Sequence, residues 1–362
     1  MPAGPRPTLT PPTPPFAREP QLDGLRCLAF LAVFALHANE ARFPWGWGGV
    51  QFFFALSGFL ITRILVRGGT GRVGLDLRRY YIRRTLRIFP LYYAIIALVA
   101  FSGPLPDLGW LLRYTYNIRV FLGLGLDRML GHFWTLCVEE QFYLLYPLAL
   151  LVTAPRFRFA LIVALIAGTI GFQVYAEFHY NIRAARILLP YCGEDLLWGC
   201  LAGLVDLRVP PRRHEGTACF LAGTPILVLA WNLHEQRLAL PIGVQDVASV
   251  SLYGIGNALI VFGASRCTAR WIIGPLAWAP VAYLGRISYG LYAFHIPVLH
   301  GWLNEVPYAF LIPRPWGALA MTIGVAALSW RFFEGPINRL KDRVDHPSAR
   351  FSARADRSEV KA

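Results

Sequence analysis

Charge is what this sequence has least of. Only 15% of its 362 residues are Asp, Glu, Lys or Arg, while 56% are apolar or aromatic; soluble domains carry about 25% charge. That balance excludes an ordinary soluble enzyme and points to a protein that lives in lipid. Apart from loops and two tails, stretches long enough and polar enough for a separate soluble catalytic domain are also missing, so any chemistry must sit among the helices. The six cysteines (Cys27, Cys137, Cys192, Cys200, Cys219, Cys267) stand singly inside or beside apolar segments. They offer neither the spacing of a metal site nor a disulfide framework, so they read as small packing residues and no metal is expected. Acidic residues are outnumbered 35 to 21 by Lys and Arg, giving a net charge of +14. In a soluble chain this would suggest nucleic acid as a partner. Here the basic residues cluster in particular loops, which makes them a topology signal instead, and no nucleic acid is expected.

What is present is a series of apolar segments. The expected fold is all-α, a polytopic membrane protein of about ten transmembrane helices starting near residues 22, 50, 88, 133, 159, 187, 217, 247, 281 and 316. Residues 1–20 are proline-rich and without an apolar run, which predicts a disordered tail with nothing resembling a cleavable signal peptide. Residues 336–362 read as a basic tail. With the amino terminus placed in the cytoplasm, about three times as many Lys and Arg fall on the cytoplasmic side as outside. Both tails are therefore expected in the cytoplasm and the chain in the cell's inner or plasma membrane. No pair of segments suggests the inverted repeats of many transporters.

Several ionisable residues interrupt the apolar segments, where they are costly and by default functional. In LDGLRCLAFLAVFALHA, Arg26 and His37 are eleven residues apart, hence about 20° apart around a helix and about 16 Å apart along it. The bland alternative has Arg26 snorkelling to the inner interface and His37 marking the outer one. Histidine suits general-base work because its neutral form is available near neutral pH. In GVQFFFALSGFLIT, Ser57 and Gly58 mark a place where a helix or a ligand can approach closely. RRYYIRRTLRIFPLYY reads as an interfacial helix ending at Pro90, with Arg83, Arg84 and Arg87 able to share one face and grip phosphates, or simply to meet anionic membrane lipids. HFWTLCVEEQFYLLYP places Glu139 and Glu140 about 100° apart inside an apolar helix, so only one is expected to face the cavity of His37, with Arg26, His132 or another helix as its partner. LGRISYGLYAFHIPVLHGWL contains Arg286 and adds Ser288, Tyr289 and His295 as candidate cavity-lining residues, His295 being equally readable as a helix-to-helix contact.

Taken in order, LDGLR with the ten-residue gap to His37, FFFALSGFLIT, YIRRTLRIFPLYY, HFWTLCVEEQFY and LGRISYGLYAFHIPV resemble the acyltransferase family 3 membrane O-acyltransferases, from about residue 21 to 335. The resemblance implies ten spans, acetyl-CoA or another acyl-CoA as co-substrate, and an acceptor hydroxyl on a glycan, lipid-linked glycan or antibiotic reached from the outer side. By position it makes Arg26 and His37 the family's paired Arg and His, Arg84 and Arg87 its RxxR donor-binding element, and Glu139 its motif glutamate. The sequence departs at Gln51, where many members have Asp, and at Thr135, where Ser is usual. Some members carry an extra extracytoplasmic transferase domain; its absence here implies direct transfer or hand-over to a separate protein, with homodimer formation open. The competing reading is a glycan or lipid transporter or flippase that performs no bond chemistry.

Overall fold

A computed structural model describes residues 18–180, 182–302 and 314–341. The expected tails therefore lie mostly outside the described residues, as do residues 303–313. Among the described residues the chain is helical throughout, with no strand. The main helices are α1 (Pro20–Ala38), α2 (Gly48–Arg67), α3 (Val73–Ser102), α4 (Trp134–Val152), α5 (Arg158–His179), α6 (Leu189–Arg208), α7 (Glu215–His234), α8 (Ile242–Arg266), α9 (Ala279–Arg286), α10 (Ser288–Ile296) and α11 (Arg314–Ser329).

Eight helical segments among the described residues are long and apolar enough to cross a membrane. Two further segments run where the sixth and ninth spans are expected. One is α6, which is diluted by Glu194, Asp195, Asp206 and Arg208; the other is the broken succession of α9, α10 and a π-helical turn, Pro297–Trp302. Large apolar side chains such as Leu144, Leu148, Val163, Phe178, Val228 and Leu328 face outward. A soluble protein would not leave so many uncovered; in lipid they are the solvated surface. The chain is a polytopic membrane protein.

One sequence expectation needs correction. The segment before Pro90 is not a separate interfacial helix: α3 runs for 30 residues straight through Pro90. A proline inside a helix removes one backbone hydrogen bond, but in a membrane neighbouring groups absorb that loss more readily than they would an exposed break. The consequence is that Arg84 and Arg87 sit mid-helix, against the bundle.

The small residues of α2 do divide their work. A Cβ on Gly58 would fall 1.9 Å from the Leu196 carbonyl oxygen, and one on Gly199 would fall 1.8 Å from that of Ala55. The backbones of α2 and α6 therefore touch, as small-residue membrane contacts allow. Ser57, one position away, is left for the interior of the bundle. Replacing Gly199 by alanine should force the two helices apart at about 1–3 kcal/mol, the usual penalty of overpacking. A fall in the thermal midpoint of detergent-solubilised protein would register it.

Candidate active site

The inner faces of α1, α2, α3, α4 and α10 enclose a slender cavity of about 90 Å³. Arg26, Ser57, Arg84, Arg87, Glu139, Ser288 and Tyr289 all line it. These are seven of the residues singled out from the sequence, contributed by five helices.

Glu139 is its anchor. Glu139 and Tyr143 are four residues apart on α4 and so share a face. The Tyr143 hydroxyl donates to Glu139 Oε1 at 2.7 Å, and Ser57 Oγ donates to the same oxygen at 2.8 Å. The Arg84 guanidinium lies 3.4 Å from the centre of the Tyr143 ring, a close cation–π contact. Among the described residues the carboxylate partner of Arg26 is Asp23, one turn earlier on α1, at a long 3.8 Å. The partners of Glu139 are thus Ser57 and Tyr143 rather than His132. Glu140 points away from the cavity, and its Oε1 is buried without a hydrogen-bond partner. Arg83, exposed on α3, does not line the cavity either. Tyr289 reaches across to α3, its hydroxyl donating to the Ile88 carbonyl at 2.8 Å.

Arg26 and Arg87 also border a second and wider space of about 440 Å³, lined in addition by Arg18, Glu19, Asp23, Arg63, Arg286 and Trp330. The two spaces therefore abut. This vestibule lies at the end of the bundle where α1 begins and α11 has ended.

At its other extreme the slender cavity reaches Thr135 and Tyr292, whose hydroxyls are 2.6 Å apart. Beyond Tyr292 stand three histidines. His295 is fully buried, with its ring 5.2 Å from Tyr292, 4.8 Å from His132 and 5.0 Å from His37, centre to centre. His37 turns inward to this group. It does not itself line the slender cavity, which ends at Tyr292.

The hydrogen bonds fix the tautomers. A carbonyl can only accept, so His295 Nδ1, 2.5 Å from the Tyr292 carbonyl, carries the proton and leaves His295 Nε2 as an acceptor. His37 Nδ1 lies 3.0 Å from the Val33 carbonyl and 3.2 Å from His295 Nε2, so it too must carry a proton and shares it between both acceptors. The lone pair of neutral His37 is therefore on Nε2, as a base requires.

The departure at Gln51 leads elsewhere. Gln51 is buried and lines a separate small space with Asp195, Trp47 and Trp134. The group that orients His37 is another histidine, 258 positions along the chain. Tyr143 and Tyr292 are the residues that sequence reasoning passed over. Tyr143 was readable from its four-residue spacing to Glu139, whereas Tyr292 carried no signal apart from its place near His295. Among the described residues no cluster of His, Cys, Asp or Glu is arranged to hold a metal ion.

Comparison with known proteins fits this picture. The chain is 30% identical to the peptidoglycan O-acetyltransferase OatA of Listeria monocytogenes, over 88% of this chain and 56% of that protein. It is 29% identical to YrhL of Bacillus subtilis and 25% identical to the O-acetyltransferase OatA of Staphylococcus aureus, again over 88% of this chain but 54% and 57% of theirs. The chain thus spans little more than half the length of these relatives. No solved structure matches it. The acyltransferase domain pattern matches residues 19–334, and with it the chain belongs to the acyltransferase family 3 of membrane proteins.

Proposed function

We propose that the protein is a membrane O-acetyltransferase. It moves an acetyl group from acetyl-coenzyme A at the cytoplasmic face to a hydroxyl of an envelope glycan, with peptidoglycan, the acceptor in the name of its Listeria relative, as the first candidate. One observation carries the reading. An arginine-rich vestibule abuts a slender cavity through Arg26 and Arg87, and that cavity ends at Tyr292, which packs on His295, the residue that in turn meets His37. The surplus of Lys and Arg in the loops on the vestibule side supports a cytoplasmic position for it and for both tails. The working unit is residues 21–335.

In this reading the thioester is threaded from the vestibule toward the histidines. His37 Nε2 takes the proton of the acceptor hydroxyl as its oxygen bonds to the acyl carbon; the carbon–sulfur bond then breaks, and the proton passes from His37 to the departing thiolate. Arg26 lies about 16 Å along α1 from His37 and reaches back to Asp23, so it would hold the donor rather than touch the acyl oxygen. Tyr292 must shift for acyl group and base to meet, as gating side chains do.

The test is to purify the protein in detergent, supply acetyl-coenzyme A with peptidoglycan fragments, and follow free thiol. Release that requires both partners, together with acetylated fragments in the mass spectrum, is the expected result. A transporter without bond chemistry would release none.

His295 acts in this scheme as a positioning residue through His37. His295→Leu should lower kcat by roughly 10- to 100-fold, comparable to the loss of a partner that orients a ligating histidine. His295→Gln, whose side-chain oxygen can accept from His37 Nδ1–H, should recover much of it. Equal losses in the two variants would point to packing alone.

A further inference from the structure

We infer that the vestibule is a nucleotide pocket, in which Trp330 stacks on the adenine of the donor while Arg286 and Arg87 take its phosphates. This rests on the acyl-coenzyme A reading above and assigns the end of the donor farthest from the chemistry.

The first argument is charge. Five arginines line the vestibule against two acids. Arg18 holds Asp23 at 2.6 Å, and Arg63 holds Glu19 at 2.7 Å and Asp206 at 3.2 Å, so both acids are already engaged. Among the described residues the carboxylate partner of Arg26 is Asp23, at 3.8 Å, while Arg87 and Arg286 form no ion pair with a carboxylate. Three guanidiniums facing one open space call for a polyanion, and guanidinium forks suit phosphates. Arg84 is not among them: it stacks on Tyr143 in the slender cavity.

The second argument is size. A space of about 440 Å³ abutting one of about 90 Å³ suits a donor with a bulky nucleotide head and a thinner pantetheine arm. The third is Trp330. It stands where α11 gives way to a π-helical turn, Trp330–Glu334, a distortion often kept at functional sites. The indole is half-buried on the wall of the vestibule. A flat apolar ring beside uncommitted arginines is the arrangement that binds a base next to its phosphates.

The experiment compares acetyl-coenzyme A with S-acetylpantetheine, which has the arm but no nucleotide, in wild type, Trp330→Ala, Trp330→Phe and Arg286→Gln. Trp330→Ala should raise KM for acetyl-coenzyme A by roughly 5- to 100-fold, the range of lost base–aromatic stacking, with KM for S-acetylpantetheine unchanged. Trp330→Phe should restore most of the difference. Calorimetric titration with 3′,5′-ADP should show wild-type binding weakened in Trp330→Ala and in Arg286→Gln. Unchanged KM values, or equal changes for both donors, would overturn the assignment. Wild type that binds 3′,5′-ADP through Trp330 yet releases no thiol from acetyl-coenzyme A would instead defeat the transferase reading and leave the nucleotide pocket intact.

Discussion

Replacing His37 by alanine is expected to reduce acetyl transfer by about 10²- to 10⁴-fold, the range for loss of a general base, with the protein still folded and still binding its donor. The expectation follows from the tautomer. His37 Nδ1–H is held by the Val33 carbonyl and by His295 Nε2, so Nε2 alone can accept a proton, and alanine removes it without leaving a buried charge. The imidazole is only half-buried and makes no ion pair with a carboxylate among the described residues, so its loss should cost no more than the roughly 1–3 kcal/mol of leaving the buried His295 Nε2 without a donor. Measured kcat near that of wild type, in a variant with wild-type melting, would remove His37 from the chemistry. A fall in kcat accompanied by equal loss of donor binding would place it in the donor site instead.

Much of this site was legible in the sequence because membrane spans expose their exceptions. Arg26, Ser57, Arg84, Arg87, Glu139, Ser288 and Tyr289 stand out against apolar neighbours, and all line one cavity. The bundle itself was legible for the same reason, through the length of its apolar runs. Helical spacing did not decide which of Arg83 and Arg84, or of Glu139 and Glu140, faces inward. Adjacent residues point about 100° apart, and the choice between them is made by the packing of α3 and α4 against the rest of the bundle. The continuation of α3 through Pro90 was hidden because a proline reads as a stop in isolation, whereas a bundle in lipid tolerates it. The pairing of His37 with His295 was beyond local reading altogether. A contact between residues 258 positions apart depends on how α1 and α10 meet, and no periodicity within either helix reports it.

The second large effect concerns Glu139. It is the one carboxylate on the wall of a cavity that also holds Arg26, Arg84 and Arg87, and its Oε1 accepts from both Ser57 and Tyr143. Glu139→Ala would leave two hydroxyls without their acceptor and remove the carboxylate from the wall that Arg26, Arg84 and Arg87 share. A buried hydroxyl left without its acceptor typically costs about 1–3 kcal/mol, so the alanine variant, which orphans two, should melt well below wild type in detergent. Glu139→Gln keeps an oxygen for Ser57 and Tyr143 but not the charge, and should lose less. The decisive comparison is the double variant Glu139→Gln with Arg84→Met. If the carboxylate serves chiefly to balance the arginine stacked on Tyr143, removing both should restore stability by about 1–3 kcal/mol relative to the sum of the single losses, the usual coupling of residues that act as a unit. Strict additivity would show instead that Glu139 works through its hydroxyl partners alone. Arg26 and Arg87 would then need their negative charge from elsewhere, and an acyl donor that brings its own phosphates to the adjoining vestibule would supply it only while bound. In that case the melting temperature of wild type should rise with acetyl-coenzyme A by more than that of Arg87→Gln.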